Sequence, residues 1–118
     1  MPRQNPEAAL HRAVAQYLTV ALPKDAFWTT IPSGGGGKIR GANLKRMGLK
    51  PGVPDILIVY RGLPFFIELK SKAGRVSPEQ QGVMWTLGSQ KISTFVCRSM
   101  DEVVDAVRKI TATQRTAA

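Results

Sequence analysis

Pro54-Asp55-Ile56-Leu57-Ile58-Val59-Tyr60-Arg61-Gly62-Leu63-Pro64-Phe65-Phe66-Ile67-Glu68-Leu69-Lys70 is the stretch that decides the fold of this 118-residue chain. Ile56 to Tyr60 is β-branched and apolar, Arg61 to Pro64 carries turn residues, and Phe65 to Ile67 resumes the apolar run, which predicts a β-hairpin. With the turn around Arg61 to Leu63, antiparallel pairing sets Asp55 beside Glu68, because residues equally distant from the turn meet. Two like charges side by side are destabilising unless a cation lies between them. Side chains alternate along a strand, so Glu68 and Lys70 share a face and the Leu69 carbonyl is left as a further oxygen donor. Two carboxylates, a carbonyl and a lysine suit a hard divalent cation and a phosphodiester.

Outward from the hairpin, the charge is uneven. The chain carries 17 Lys+Arg against 8 Asp+Glu, a net charge of +9, and residues 38 to 75 hold nine basic residues and only two acids. Those acids are Asp55 and Glu68. A basic region whose only acids are the candidate metal ligands fits a polyanion held against a cation. Lys38, Arg40, Lys45, Arg46, Lys72 and Arg75 are the candidate phosphate contacts, which position a duplex without reading its sequence. One cysteine, Cys97, lies in an apolar run, so neither a disulfide framework nor a Cys/His zinc cluster is expected, and a buried thiol is. No apolar run is long enough to cross a bilayer and the N-terminus lacks a signal peptide's hydrophobic segment, which predicts a cytoplasmic protein of a bacterial cell or a phage-infected host.

The remaining elements read as α-β-α-β-β-α-β-α, an α/β domain with a small central mixed sheet of about four strands flanked by helices. Asn5 is an N-cap with Pro6 at N1, followed by the stripe Leu10, Val14, Tyr17, Leu18 and Ala21. Glu7 opens that stripe, where an acid either meets the helix N-terminus or serves a site. His11, one turn on and the only histidine, reads as a boundary residue. Ala26 to Ile31 is the first expected strand. The loop from Pro32 to Lys38, with glycine at 34 to 37, reads as a DNA-contacting lid, with a plain linker as the alternative, and a short helix is expected over Ala42 to Met47. Ser77-Pro78-Glu79-Gln80 is a capping box on its own, and Gln80 also leads the stripe Val83, Met84 and Leu87. Around Ile92 to Cys97 lies a last strand. A second capping box is expected at Ser99 to Glu102, a core face at Val103, Val104, Val107 and Ile110, and a loose tail over Thr111 to Ala118.

Gly52-Val53-Pro54-Asp55, Glu68-Leu69-Lys70 and Ser77-Pro78-Glu79-Gln80, with a helical glutamate near the N-terminus, resemble the VRR-NUC branch of the PD-(D/E)XK nucleases from about Glu7 to Ile110. The resemblance implies one nuclease domain over residues 1 to 118, with a core of about 7 to 110 and the restriction endonuclease-like sheet. It implies an endonuclease dependent on Mg²⁺ or Mn²⁺, with Asp55, Glu68, the Leu69 carbonyl and Glu7 around the cation and Lys70 and Gln80 completing the catalytic set. By analogy with Holliday junction resolvases it further implies a homodimer acting on branched DNA. The competing readings are a non-catalytic basic DNA-binding module, which leaves the placement of the two acids unexplained, and a flap or single-strand nuclease. RNA binding has little support, since the few aromatics lie mostly within apolar runs.

Overall fold

The computed structural model describes residues 5–32 and 38–113. In chain order it contains α1 (Pro6–Ala21), β1 (Phe27–Thr30), α2 (Lys38–Arg46), β2 (Ile56–Tyr60), β3 (Leu63–Leu69), α3 (Pro78–Ser89), β4 (Ser93–Cys97) and α4 (Met100–Ala112). The sheet order is β1-β2-β3-β4, antiparallel except for the β3–β4 pair, which α3 makes parallel by crossing over. The expected α/β architecture with a mixed sheet is therefore present.

The hairpin closes more tightly than the turn residues suggest. Tyr60 pairs with Leu63, so the loop is Arg61-Gly62 alone, and both residues have positive φ, 53° and 79°. This matches a two-residue turn whose twist suits the flanking strands. Arg61, a non-glycine in that region, lays its guanidinium 5.3 Å from the centroid of the Tyr60 ring, a contact that offsets part of the strain.

Ile56, Ile58, Ile67, Leu69 and Cys97 form the core face of the sheet, against which α1 places Val14 and Leu18 and α4 places Val103, Ala106, Val107 and Ile110. Fully burying an aliphatic side chain of this size contributes about 1.5–3 kcal/mol, so this face supplies most of the drive to fold. Ala106 is buried and Val104 only partly, because the i, i+3, i+4, i+7 stripe that starts at Val103 runs through Ala106, Val107 and Ile110.

Several boundaries differ from expectation. The second helix begins at Lys38, four residues before Ala42, so Lys38 from the expected loop and Arg40 just after it are helical. Residues 33 to 37, most of the expected lid, lie outside the described residues. Thr111 and Ala112 belong to α4, leaving less of the expected tail. The second capping box is offset: Ser99 Oγ accepts from Glu102 N–H at 3.2 Å, but the Glu102 carboxylate accepts from Arg98 N–H, one residue ahead of the cap. Among the described residues no helix is long and apolar enough to cross a membrane.

Candidate active site

The sheet register puts the two acids together. Ile56 pairs with Ile67, and one step further sets Asp55 opposite Glu68. Leu69 N–H donates to Asp55 Oδ2 at 2.8 Å, so the main-chain groups of Leu69 face β2 and the alternating ladder makes Asp55–Glu68 a non-hydrogen-bonded pair, the kind with the closest side chains. Asp55 is fixed from behind as well, since its carbonyl accepts from Ile31 N–H at 2.8 Å on the β1 side.

Glu68 projects from the face opposite the core isoleucines, yet it is only 3% exposed. The cover comes from the N-terminus of α3. Gln80 Nε2 donates to Glu68 Oε1 at 3.1 Å, while Gln80 Oε1 accepts from Ser77 N–H at 2.8 Å and Gln80 N–H donates to Ser77 Oγ at 3.1 Å. The capping role and the contact with the acid coexist, because the amide of glutamine has an acceptor for the cap and a donor for the carboxylate.

Burial pushes the Glu68 carboxyl up to about 8, with the Asp55 charge next and the chance for protonated Glu68 to donate to the Asp55 carboxylate adding to the rise; Lys70 pulls it down and Glu7 adds the smallest contribution. Lys70 is itself nearly buried, and its N–H donates to Cys97 O at 3.0 Å, carrying the β3–β4 pairing one residue past the strand. Cys97 is buried as expected, with its thiol raised to about 11 by burial first and the Glu102 charge second, which suits a core position rather than a nucleophile.

Glu7 reaches the site from α1. Its Oε1 accepts from Ser71 N–H at 3.3 Å, just beyond Lys70. Among the described residues no three Asp, Glu, His or Cys side chains stand close enough to hold an ion between them, so Glu7 lies at the periphery of the acid pair. His11 is turned to β1, with Nε2 3.1 Å from Thr30 Oγ1.

A Mg²⁺ or Mn²⁺ ion fits this donor set. Glu68 Oε2 is one of two buried side-chain polar atoms, with Thr94 Oγ1, that have no hydrogen-bond partner among the described residues. An unpartnered hydroxyl costs little beside an unpartnered carboxylate oxygen. The available donors, carboxylates and a main-chain carbonyl, are all oxygen, the preference of hard divalent cations.

Asp55 and Gln80 open onto a cleft of about 760 Å³ whose walls include Lys38, Lys45 and Lys50. Lys50 counted toward the basic stretch without being singled out. Arg46 Nη1 donates to Asn43 Oδ1 at 2.9 Å within α2. Lys72 and Arg75 are exposed on the segment after β3, and Lys72 borders a separate hollow with Pro6, Leu10 and Arg98 rather than the cleft. The loop before Asp55 closes on α3 through Gly52, which has φ +86° and where a Cβ would stand 2.5 Å from the Glu79 carbonyl carbon and oxygen. The Gly52-Val53-Pro54-Asp55 motif signals that glycine; the sequence offers no comparable sign for Arg98 or Ser71.

Comparison with known proteins agrees with the fold. The family model described as the VRR-NUC domain matches residues 30–101. A solved structure described as a VRR_NUC domain protein is similar with a TM-score of 0.73 and 22% identity, over 92% of this chain and 89% of that one. Another, described as a VRR_NUC domain, has a TM-score of 0.58 and 16% identity over 95% of this chain and 100% of the other. No curated protein matches the sequence.

Proposed function

The chain belongs to the VRR-NUC domain family, a nuclease-type domain, and from that premise we propose that it is a Mg²⁺- or Mn²⁺-dependent DNA endonuclease that hydrolyses phosphodiester bonds in branched DNA. The observation that carries the hydrolytic reading is the buried, unpartnered Glu68 Oε2 opposite Asp55, where a lysine-walled cleft opens. Asp55, Glu68 and the Leu69 carbonyl would hold the cation, with Glu7 supporting it from its seat on Ser71. When bound, the cation supplies charge neutralisation at the phosphate and a more acidic water.

The chain's own groups do the rest. Gln80 ties down Glu68 Oε1, leaving Oε2 as the oxygen available to a ligand. Lys70, on the same strand face as Glu68, orients the attacking water or balances the charge that develops on the phosphate, a contribution that grows in a buried setting. Lys38, Lys45 and Lys50 in the cleft, with Arg40 and Arg46 on the same helix as Lys38 and with Lys72 and Arg75 on the exposed segment after β3, hold the DNA backbone.

A single site per chain cuts one strand, so paired incisions across a two-fold junction call for two chains. We place the contact between copies at Phe27 and Trp85, 60% and 75% exposed. Trp28, next to Phe27 on β1, packs against the core instead. Light scattering should show a dimer. Incubation with four-way junctions labelled on each strand in turn, and with linear duplex, with and without Mg²⁺, should show symmetric nicks on the junction only with the cation. A monomer that cuts flaps or single strands overturns the junction assignment; no cleavage of any DNA with either cation overturns the enzyme.

A further inference from the structure

We propose that Arg98 is a positioning residue for the candidate active site, fixing the turn Ser71–Gly74 and through it the Glu7 carboxylate. Arg98 follows β4 and precedes the Ser99 cap of α4, and its N–H is held by the Glu102 carboxylate. From that anchored position Arg98 Nη1 donates to Ser71 O at 2.8 Å and Gly74 O at 2.6 Å, with Lys72 O at 3.4 Å. Gly74 N–H closes the same turn on Ser71 O at 3.1 Å. A guanidinium presents several donors in a rigid plane, so one side chain can gather carbonyls that would otherwise repel one another.

With its carbonyls drawn toward Arg98, the turn offers the Ser71 N–H to Glu7 Oε1 at 3.3 Å. Gly74 leaves the room required: a Cβ there would stand 3.2 Å from Glu7 Oε1 and 3.0 Å from Ser71 Oγ. The contacts thus run from Arg98 to the turn and from the turn to Glu7, whose carboxylate is seated one residue beyond Lys70. Arg98 touches none of the acids of that pair in this network and acts through Glu7. The inference rests on the reading of Glu7 as a support for the cation.

The test is Mn²⁺ binding by titration calorimetry on the protein without DNA, with thermal melts to confirm folding. Arg98→Met should weaken Mn²⁺ binding on the order of 10-fold, as loss of an outer-sphere partner does, and Glu7→Gln by a similar factor. The double variant should bind no more weakly than Glu7→Gln alone, and Arg98→Lys should fall between, since an ammonium is a single point where the turn presents several carbonyls. A general loss of stability would multiply with Glu7→Gln instead. Wild-type Mn²⁺ affinity in Arg98→Met, or effects that multiply in the double variant, overturns the proposal. Should Arg98→Met not fold, Arg98→Lys carries the test alone: a weakening that is absent in a Glu7→Gln background is expected, and wild-type affinity there overturns the proposal equally. Asp55→Asn separates the two readings: undiminished Mn²⁺ binding in that variant overturns the metal site itself, whereas its loss alongside an unaffected Arg98→Met overturns only the role of Arg98.

Discussion

Asp55 Oδ2 accepts the Leu69 N–H at 2.8 Å, a ladder position that the register assigns to Pro54. In a continued antiparallel ladder residue 54 would accept from Leu69 N–H and donate to Leu69 O. Proline has no N–H to donate, so the strand ends with an aspartate carboxylate in place of a main-chain acceptor. The proline-aspartate step thus ends β2 with the Asp55 carboxylate opposite Glu68.

Asp55→Asn tests that arrangement. The amide oxygen can still accept from Leu69 N–H, so the fold should persist and DNA binding should stay within a few-fold, while cleavage is lost with the charge. Lys70→Ala should likewise abolish cleavage, and Glu7→Gln should reduce it less. Single-turnover rates on a junction substrate measure all three, and a rate near wild type for Asp55→Asn or Lys70→Ala would reject the assignment.

Glu68 gives a pH signature. Its carboxyl is raised from 4.5 to about 8 in the fold without a cation, so its proton competes with metal. Mn²⁺ affinity should climb as pH rises toward about 8 and level off above it. Stability of the metal-free protein runs the other way: a carboxyl whose folded pKa is raised contributes fully below about 4.5, and that contribution is lost as pH climbs through about 8. Melting temperatures from pH 5 to 9 should therefore fall, with a smaller fall in Glu68→Gln and a reversal on adding Mn²⁺. A flat profile would place Glu68 in an ordinary exposed setting.

Lys45 and Lys50 face the same cleft. Replacing both with alanine should weaken binding to all DNA sequences alike and flatten the slope of log K against log salt by about 2, at roughly 0.9 per phosphate contact. An unchanged slope would put the DNA elsewhere.

Gly52→Ala should be costly. The residue sits at φ +86°, and the added Cβ would overlap the Glu79 backbone at 2.5 Å. Left-handed backbone alone costs a non-glycine residue roughly 1–2 kcal/mol, and the overlap pushes the loop off α3, so a destabilisation of about 3 kcal/mol is expected in chemical denaturation. Because Gln80 N–H lies at the same contact, the variant should also lose activity beyond what its folded fraction explains.

The sequence by itself determined the hairpin, its register and hence the pairing of Asp55 with Glu68, because turn chemistry and two-residue alternation act between near neighbours. Asn5, Ser77 and Ser99 marked three helix starts for the same reason: a cap is a contact within one turn. Tertiary structure alone decided what those elements meet. The burial of Glu68 and Lys70 depends on α3 crossing over the sheet, the fit of Gly52 against Glu79 on a loop folding back, and the grip of Arg98 on Ser71 on chain segments 27 residues apart. Such approaches are set by how helices pack on the sheet, a cooperative outcome of burying Ile56, Ile58 and Ile67 that no local pattern encodes. That packing left one oxygen of Glu68 held by Gln80 and the other unpartnered among the described residues.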